Sequence, residues 1–273
     1  MLMELQQKEQ ESLIMQNKLI FYFIVYSFLG WCLESIYKTI ISKKPVNSGF
    51  LYGPFCPMYG LGAIIMIEFG KLSDNIIVIF IMSFVIFSVW EYLVAIILEK
   101  LFKTKYWDYS NLKFNIQGRV CLKNSIYWGI LGVFLIFIIQ PTIDKIINLI
   151  PTNTLLCIEI ILCLAISVDA TITILKIMFI DKKIKQVFDI GNTIKEKLLE
   201  LKNQSIEDNK ENVQNIITEL KLKQDILKIK LYKRIIRLKK SFPNMKSENI
   251  TEFMKQKIYL GELKEKIKKH KRN

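Results

Sequence analysis

Residues 76–98 read IIVIFIMSFVIFSVWEYLVAIIL, an apolar run broken by one charge, Glu91. A soluble helix hides its apolar residues on one stripe, and this run is apolar on every side. A helix needs about 20 mainly apolar residues to cross a bilayer core, and the run has that length. Comparable blocks lie at 19–41, LIFYFIVYSFLGWCLESIYKTII, at 125–140, SIYWGILGVFLIFIIQ, running on to Ile150, and at 154–180, TLLCIEIILCLAISVDATITILKIMFI. The whole chain has 273 residues, is 51% hydrophobic and has a mean hydropathy of +0.27. These blocks predict an all-α, polytopic membrane protein. A signal peptide is the rival reading of the first block, but that block is long and polar-interrupted, with no small-residue cleavage site after it.

Between the first two blocks lies GFLYGPFCPMYGLGAI, residues 49–64, uncharged but carrying four glycines and two prolines. It is too apolar for an ordinary surface loop and too broken for an ordinary helix. Irregular backbone at membrane depth is tolerated where protein or a wet cavity buries it. Two readings follow for 49–58: a segment that dips toward the bilayer and lines a cavity, or a tightly packed interfacial turn. The segment continues into a short apolar helix at 58–69. Counting this helix gives five spans, at 19–41, 58–69, 76–98, 125–140 and 154–180, after an N-terminal segment 1–18 and before a basic tail 181–273. If 58–69 is re-entrant instead, there are four spans and both termini share one side.

Lysine and arginine mark the cytoplasmic side. Lys43, Lys44, Lys100, Lys103, Lys105, Lys113, Arg119, Lys123 and the tail fall on one side of the five-span arrangement, and Lys8, Lys18, Lys71 and Lys145 on the other. This bias predicts an external Met1 and a cytoplasmic C-terminus. An internal repeat agrees. Glu34 is followed by VNSGF and CPMYGLG, and Glu91 by FNIQG and CLKNSIYWGILG. Gly49 precedes Gly60, and Gly118 precedes Gly129, by the same interval. Asn47 and Asn115, Cys56 and Cys121, and Tyr59 and Tyr127 follow in matching order. Two parallel hairpin-like repeats place both loops on one face.

The motifs FLGWCLE, NSGFLYGPFCPMYGLG, WDYSNLKFNIQG and CLKNSIYWG resemble those of the bacterial membrane family of putative type IV ABC-transporter proteins, over about residues 20–180. The resemblance implies a multi-span inner-membrane protein with a transport-related role. It also leads one to expect an arginine where this chain has Ser48. No G-x-x-x-x-G-K-[ST] motif occurs, so an ABC system requires a separate ATPase subunit.

Glu34, Glu91 and Asp169 stand at equal depth in three of the blocks. A mid-span charge costs roughly 2.5–3.5 kcal/mol on insertion scales, and such residues face a bundle interior, pair, or line a path. The substrate- or ion-binding candidates are Glu34, Glu91 and Asp169, with Asn47, Gly49, Pro54 and Tyr59 from the first loop. Trp107, Asp108, Asn115 and Gly118 come from the second. The purely structural alternatives are a Glu34–Lys38 pair at i,i+4, an Asp169–Thr173 bond, and Arg119 as partner of Glu91. Trp107 with Tyr106 and Tyr109 also reads as an interfacial anchor.

No catalytic constellation, metal set or cofactor motif is present in the sequence. The only histidine is His270, and Cys32, Cys56, Cys121, Cys157 and Cys163 form no CxxC, so free thiols are expected. The tail carries 25 Lys/Arg against 13 Asp/Glu. It predicts two helices, on Ile184, Phe188, Ile194, Leu198 and Leu201 and on Val213, Ile217, Leu220, Leu227, Leu231 and Leu238, separated by SIEDNKEN as a hairpin or coiled coil. Asn249 and Glu252 predict a capping box for a last helix. Its positive charge suits anionic lipid better than nucleic acid, for which no motif is present.

Three functions follow: a transport-related subunit, a membrane scaffold recruiting a cytoplasmic protein or a second copy through 182–273, and an intramembrane enzyme using Glu34 or Glu91 as base. The third lacks a nucleophile–base pair.

Overall fold

The computed structural model describes residues 2–203 and 210–255, with side chains from 18 to 201 and 211 to 255. It is helical almost throughout. Helix α1 is Leu2–Ser42, α2 Pro57–Gly70, α3 Ile76–Phe102, α4 Leu122–Phe134, α5 Gln140–Asn148, α6 Thr152–Asn203, α7 Lys210–Ser241 and α8 Glu248–Lys255. Two short strands, Asn115–Ile116 and Val120–Cys121, pair antiparallel in the loop before α4. Among the described residues, four helical stretches are long and apolar enough to cross a membrane: Lys18–Ser42, Ile76–Phe102, Leu122–Asn148 and Thr152–Leu201. Helix α2 has 14 residues and rises about 21 Å at 1.5 Å per residue, short of the ~30 Å core.

The chain divides into two units. One holds the residues up to Thr173 together with Lys240–Met245; the other holds Ile174–Lys239 and the residues from Lys246 on.

In the first unit, α1 with α2 and α3 with α4 form two antiparallel hairpins. Along α3 the buried positions are Ile79, Ser83, Phe87, Glu91 and Ala95. Ile77, Ile81, Val85, Val89 and Ile97 are exposed. The polar residues Ser83 and Glu91 face in and the aliphatic ones face out, as a lipid surround requires. Asn75 caps the start of α3 by accepting from the amides of Ile77 at 2.8 Å and Val78 at 3.3 Å. Lys103, left-handed at φ 49°, ends it.

Glycines let the hairpins close. A Cβ at Gly60 would meet the Phe23 carbonyl oxygen at 2.5 Å, and one at Gly132 would land on Ser83. The core of this unit joins Tyr22, Tyr26, Met66, Ile79, Phe87, Leu135, Ile147 and Leu155.

The fourth span is expected to end at about 140, within an apolar block that runs on to Ile150. The helix instead runs on to Asn148. It widens to π geometry over Leu135–Ile139, just before Pro141, which has no N–H to give the preceding turn. The widened turn sets the phase of α5, so that Tyr22 donates to Asp144 and Tyr26 to Gln140.

Both inter-helix loops lie at one end of this unit. The Phe50 ring of the first loop packs on Tyr106 of the second, with centroids 5.6 Å apart. The opposite end is marked by Lys18 bonding Asn148 at 3.3 Å.

In the second unit, Ile190 and Ile194 of α6 pack on Ile217 of α7, with Leu201, Val213, Leu220 and Leu227 around them. Gln224 donates to the Val187 carbonyl at 2.9 Å, so the pair is antiparallel. The stripe on α6 is Ile184, Val187, Ile190 and Ile194; Leu198, expected on it, is 46% exposed. Helix α8 begins at Glu248, before the Asn249 cap that the sequence suggests, because Ser247 supplies the first acceptor, to the Thr251 amide. Part of SIEDNKEN, and His270, lie outside the described residues.

Candidate binding site at the paired carboxylates

Glu34 of the first hairpin and Glu91 of the second are each met by an aromatic donor from the returning helix. Glu34 Oε1 accepts from the Tyr59 hydroxyl at 3.0 Å. Its Oε2 accepts from Lys38 Nζ at 2.6 Å and Ser48 Oγ at 2.8 Å. Glu91 Oε2 accepts from Trp128 Nε1 at 2.8 Å, and Oε1 accepts from the Tyr109 hydroxyl at 3.1 Å and Asn124 Nδ2 at 3.5 Å. Tyr59 and Trp128 touch, with centroids 5.5 Å apart, so an aromatic pair links the two acids.

The two acids differ in charge balance. Glu34 is neutralised by Lys38, as its i,i+4 spacing suggests. The donors to Glu91 are all neutral, although Glu91 is only 4% exposed. Arg119 does not fill the role the sequence offered it. Its guanidinium pairs with Glu99 at 2.6 Å, because the strand pair turns position 119 back toward the end of α3. Burial, with the Glu91 carboxylate beside it, pushes the Tyr109 phenol well above its usual range, so it remains a donor. Burial and the Glu34 charge likewise push the Cys56 thiol up to about 12, which leaves it unreactive.

A cavity of about 90 Å³ opens beside this array. Tyr26, Gly30, Leu33, Met58, Tyr59, Phe87, Trp90, Glu91, Trp128 and Leu135 are among its walls. Trp90 is held by its indole N–H on the Met58 carbonyl at 2.8 Å. Among the described residues, Glu91 is the only carboxyl on a wall that is otherwise aromatic and aliphatic.

The other sequence candidates build the loops rather than the cavity wall. Asn47 accepts from Trp31 at 2.6 Å and donates to the Tyr52 carbonyl at 2.9 Å. Gly49 and Gly118 take φ of 97° and 72°, where a side chain would strain the turn. Pro54 lies in the bend before α2, where the Phe55 amide bonds the Gly53 carbonyl at 2.9 Å. Trp107 donates to the Arg119 carbonyl at 2.9 Å, and Asp108 accepts from the Ser110 amide at 3.0 Å. Asn115 accepts from the Gly118 amide at 3.0 Å and donates to the Leu112 carbonyl at 2.7 Å. Asp169 takes the amides of Gly53 at 2.6 Å and Tyr52 at 3.2 Å, with Thr173 at 3.2 Å. It fastens the first loop to α6.

Two features of this unit are not signalled by residue order. Trp128, not Tyr127, stands where Tyr59 does, directly before a glycine that closes its hairpin; Tyr127 is 57% exposed. The Gly49–Gly60 and Gly118–Gly129 interval already contained this register. Gln140 and Asp144, bonded to Tyr26 and Tyr22, had no signal beyond being polar at the end of an apolar block.

Four membrane-length helices, with polar residues turned inward, define a multi-pass helical membrane protein. The chain belongs to the family described as Putative ABC-transporter type IV, whose model matches residues 21–174. No curated protein and no solved structure matches it. The matched residues contain both hairpins, both loops and the cavity.

Proposed function

We propose that this membrane transport-related protein binds its cargo at the Glu34–Tyr59–Trp128–Glu91 array, and that the cargo is an apolar molecule bearing a positively charged group. The observation that carries this reading is Glu91: nearly fully buried, held only by neutral donors, and set in the wall of an aromatic cavity. An ionisable residue so placed among membrane helices is a functional candidate by default, and a cation over tryptophan and tyrosine faces gains further attraction. The two hairpins are duplicated units that each supply one acid. The loops, the basic residues around them and the C-terminal region lie on the cytoplasmic side of a bacterial inner membrane, as the charge bias suggests. A separate ATPase subunit is the partner that supplies energy.

Trp90 and Trp128 give the test a reporter. With the purified protein in lipid nanodiscs, a brominated alkyltrimethylammonium ion is expected to quench tryptophan fluorescence saturably. Glu91→Gln is expected to weaken that binding about tenfold or more, equivalent to roughly 1.4 kcal/mol. Equal, unsaturable quenching by the cation and by a neutral brominated alkane of the same length would remove the reading.

A further inference from the structure

Residues Lys240–Met245, far along the chain and outside the matched stretch, belong to the membrane unit. Ser241 is the last residue of α7, so its carbonyl has no partner within the helix. Lys38 Nζ donates to that carbonyl at 2.6 Å, a cation placed at a helix C-terminus. Ser241 Oγ donates in turn to the Asn47 carbonyl of the first loop at 2.9 Å. Phe242 sets its ring edge-on against Tyr106 of the second loop, with centroids 5.0 Å apart, and lies 5.2 Å from Lys38 Nζ. Pro243 stops the helix, and the Met245 amide bonds the Phe242 carbonyl at 3.1 Å to close a turn. Ser241 and Met245 are 1% and 7% exposed.

These contacts converge on the ammonium that also holds Glu34 and Ser48. Two hydrogen bonds, from Lys38 of α1 and to Asn47 of the first loop, an aromatic edge on Tyr106 and the Lys38 ammonium over the Phe242 ring hold the segment, and the unit's core is built from the helices themselves.

We infer that Lys240–Met245 is an intramolecular ligand of the loop face, a peptide latch that covers the Glu34–Lys38–Ser48 network and shields it from water. Its recognition elements are a helix C-terminal carbonyl read by Lys38 and an aromatic side chain read by Tyr106. Release frees Lys38 and opens the loop end of the unit. The inference does not depend on what the cavity binds.

Hydrogen exchange read by mass spectrometry tests it on the full chain in nanodiscs. Phe242→Ala is expected to raise amide exchange in 46–53 about tenfold, the mark of a local opening, and to leave α2 and α3 protected as before. A second variant, Phe242→Leu with Pro243→Gly, keeps the apolar contact while loosening the turn, and is expected to give an intermediate rate. Unchanged exchange in 46–53 in both variants overturns the latch. So does lost protection of α2 and α3 in both, which would make the segment part of the folding core.

Discussion

Gly60→Val is expected to lower the unfolding free energy by about 3 kcal/mol, the upper end for overpacking, and to remove most of the folded yield. The reason is backbone against backbone. An added Cβ at position 60 meets the Phe23 carbonyl oxygen at 2.5 Å as well as the Ser27 side chain. A carbonyl inside α1 has no room to shift, and valine adds two methyl groups to the conflict. The hairpin would have to splay, drawing Tyr59 away from Glu34. Gly191→Ala is the contrasting case. Its Cβ meets only the Gln224 amide nitrogen, at 2.9 Å, the movable end of a long side chain. There alanine gains up to about 1 kcal/mol of helix propensity, so the net effect should be small. Thermal unfolding of detergent-purified protein compares the two.

Glu91→Ala is expected to cost about 3 kcal/mol, because it strands buried donors whose desolvation penalty runs to about 1–3 kcal/mol each. Trp128 and Tyr109 lose their acceptor at once, and Asn124 keeps only the Tyr109 hydroxyl. Glu91→Gln should behave differently. Its carbonyl oxygen can face the Trp128 indole, and its amide can face Tyr109, whose hydroxyl rotates to accept, at the cost of the 3.5 Å Asn124 contact, while Asn124 keeps the Tyr109 oxygen at 2.7 Å. The same holds for Glu34→Gln, with the carbonyl toward Lys38 and Ser48 and the amide toward Tyr59. In both variants shape and most of the hydrogen bonding survive while the negative charge is lost. Folded yield should fall steeply for Ala and little for Gln, which separates the acids' part in folding from any part in binding.

The membrane helices were legible because the bilayer asks for length and apolarity, and residues 76–98 state both. The bonding partner of Glu34 was legible too, since Lys38 lies one helical turn away. What local spacing does not encode was misread or missed. The Arg119 side chain is aimed by a strand pair of four residues, too short to show a periodic signal, and it reaches Glu99 instead of Glu91. Pro141 reads as the end of a span, but a π turn absorbs its missing hydrogen bond and the helix continues. On α6, Phe188 and Leu198 fit a plausible stripe, yet Val187 and Ile190 are the residues that meet α7. Ile184, Ile194 and Leu201 of the expected stripe do pack inward, so periodicity placed the face and missed its middle residues. The docking of Ser241 and Phe242 on the loops joins residues some two hundred positions from Lys38 and Asn47, a contact that no sequence window contains.

The central claim is that the two acids act on a bound molecule rather than only holding the hairpins together. The most direct measurement is the cellular phenotype of a strain lacking this protein, complemented by the Glu34→Gln, Glu91→Gln double variant. Membrane levels and unfolding temperature of the variant are measured in parallel. The account predicts near-normal amounts of folded protein and loss of complementation. Full complementation by the folded double variant would contradict it, and would leave Glu34 and Glu91 as structural acceptors alone.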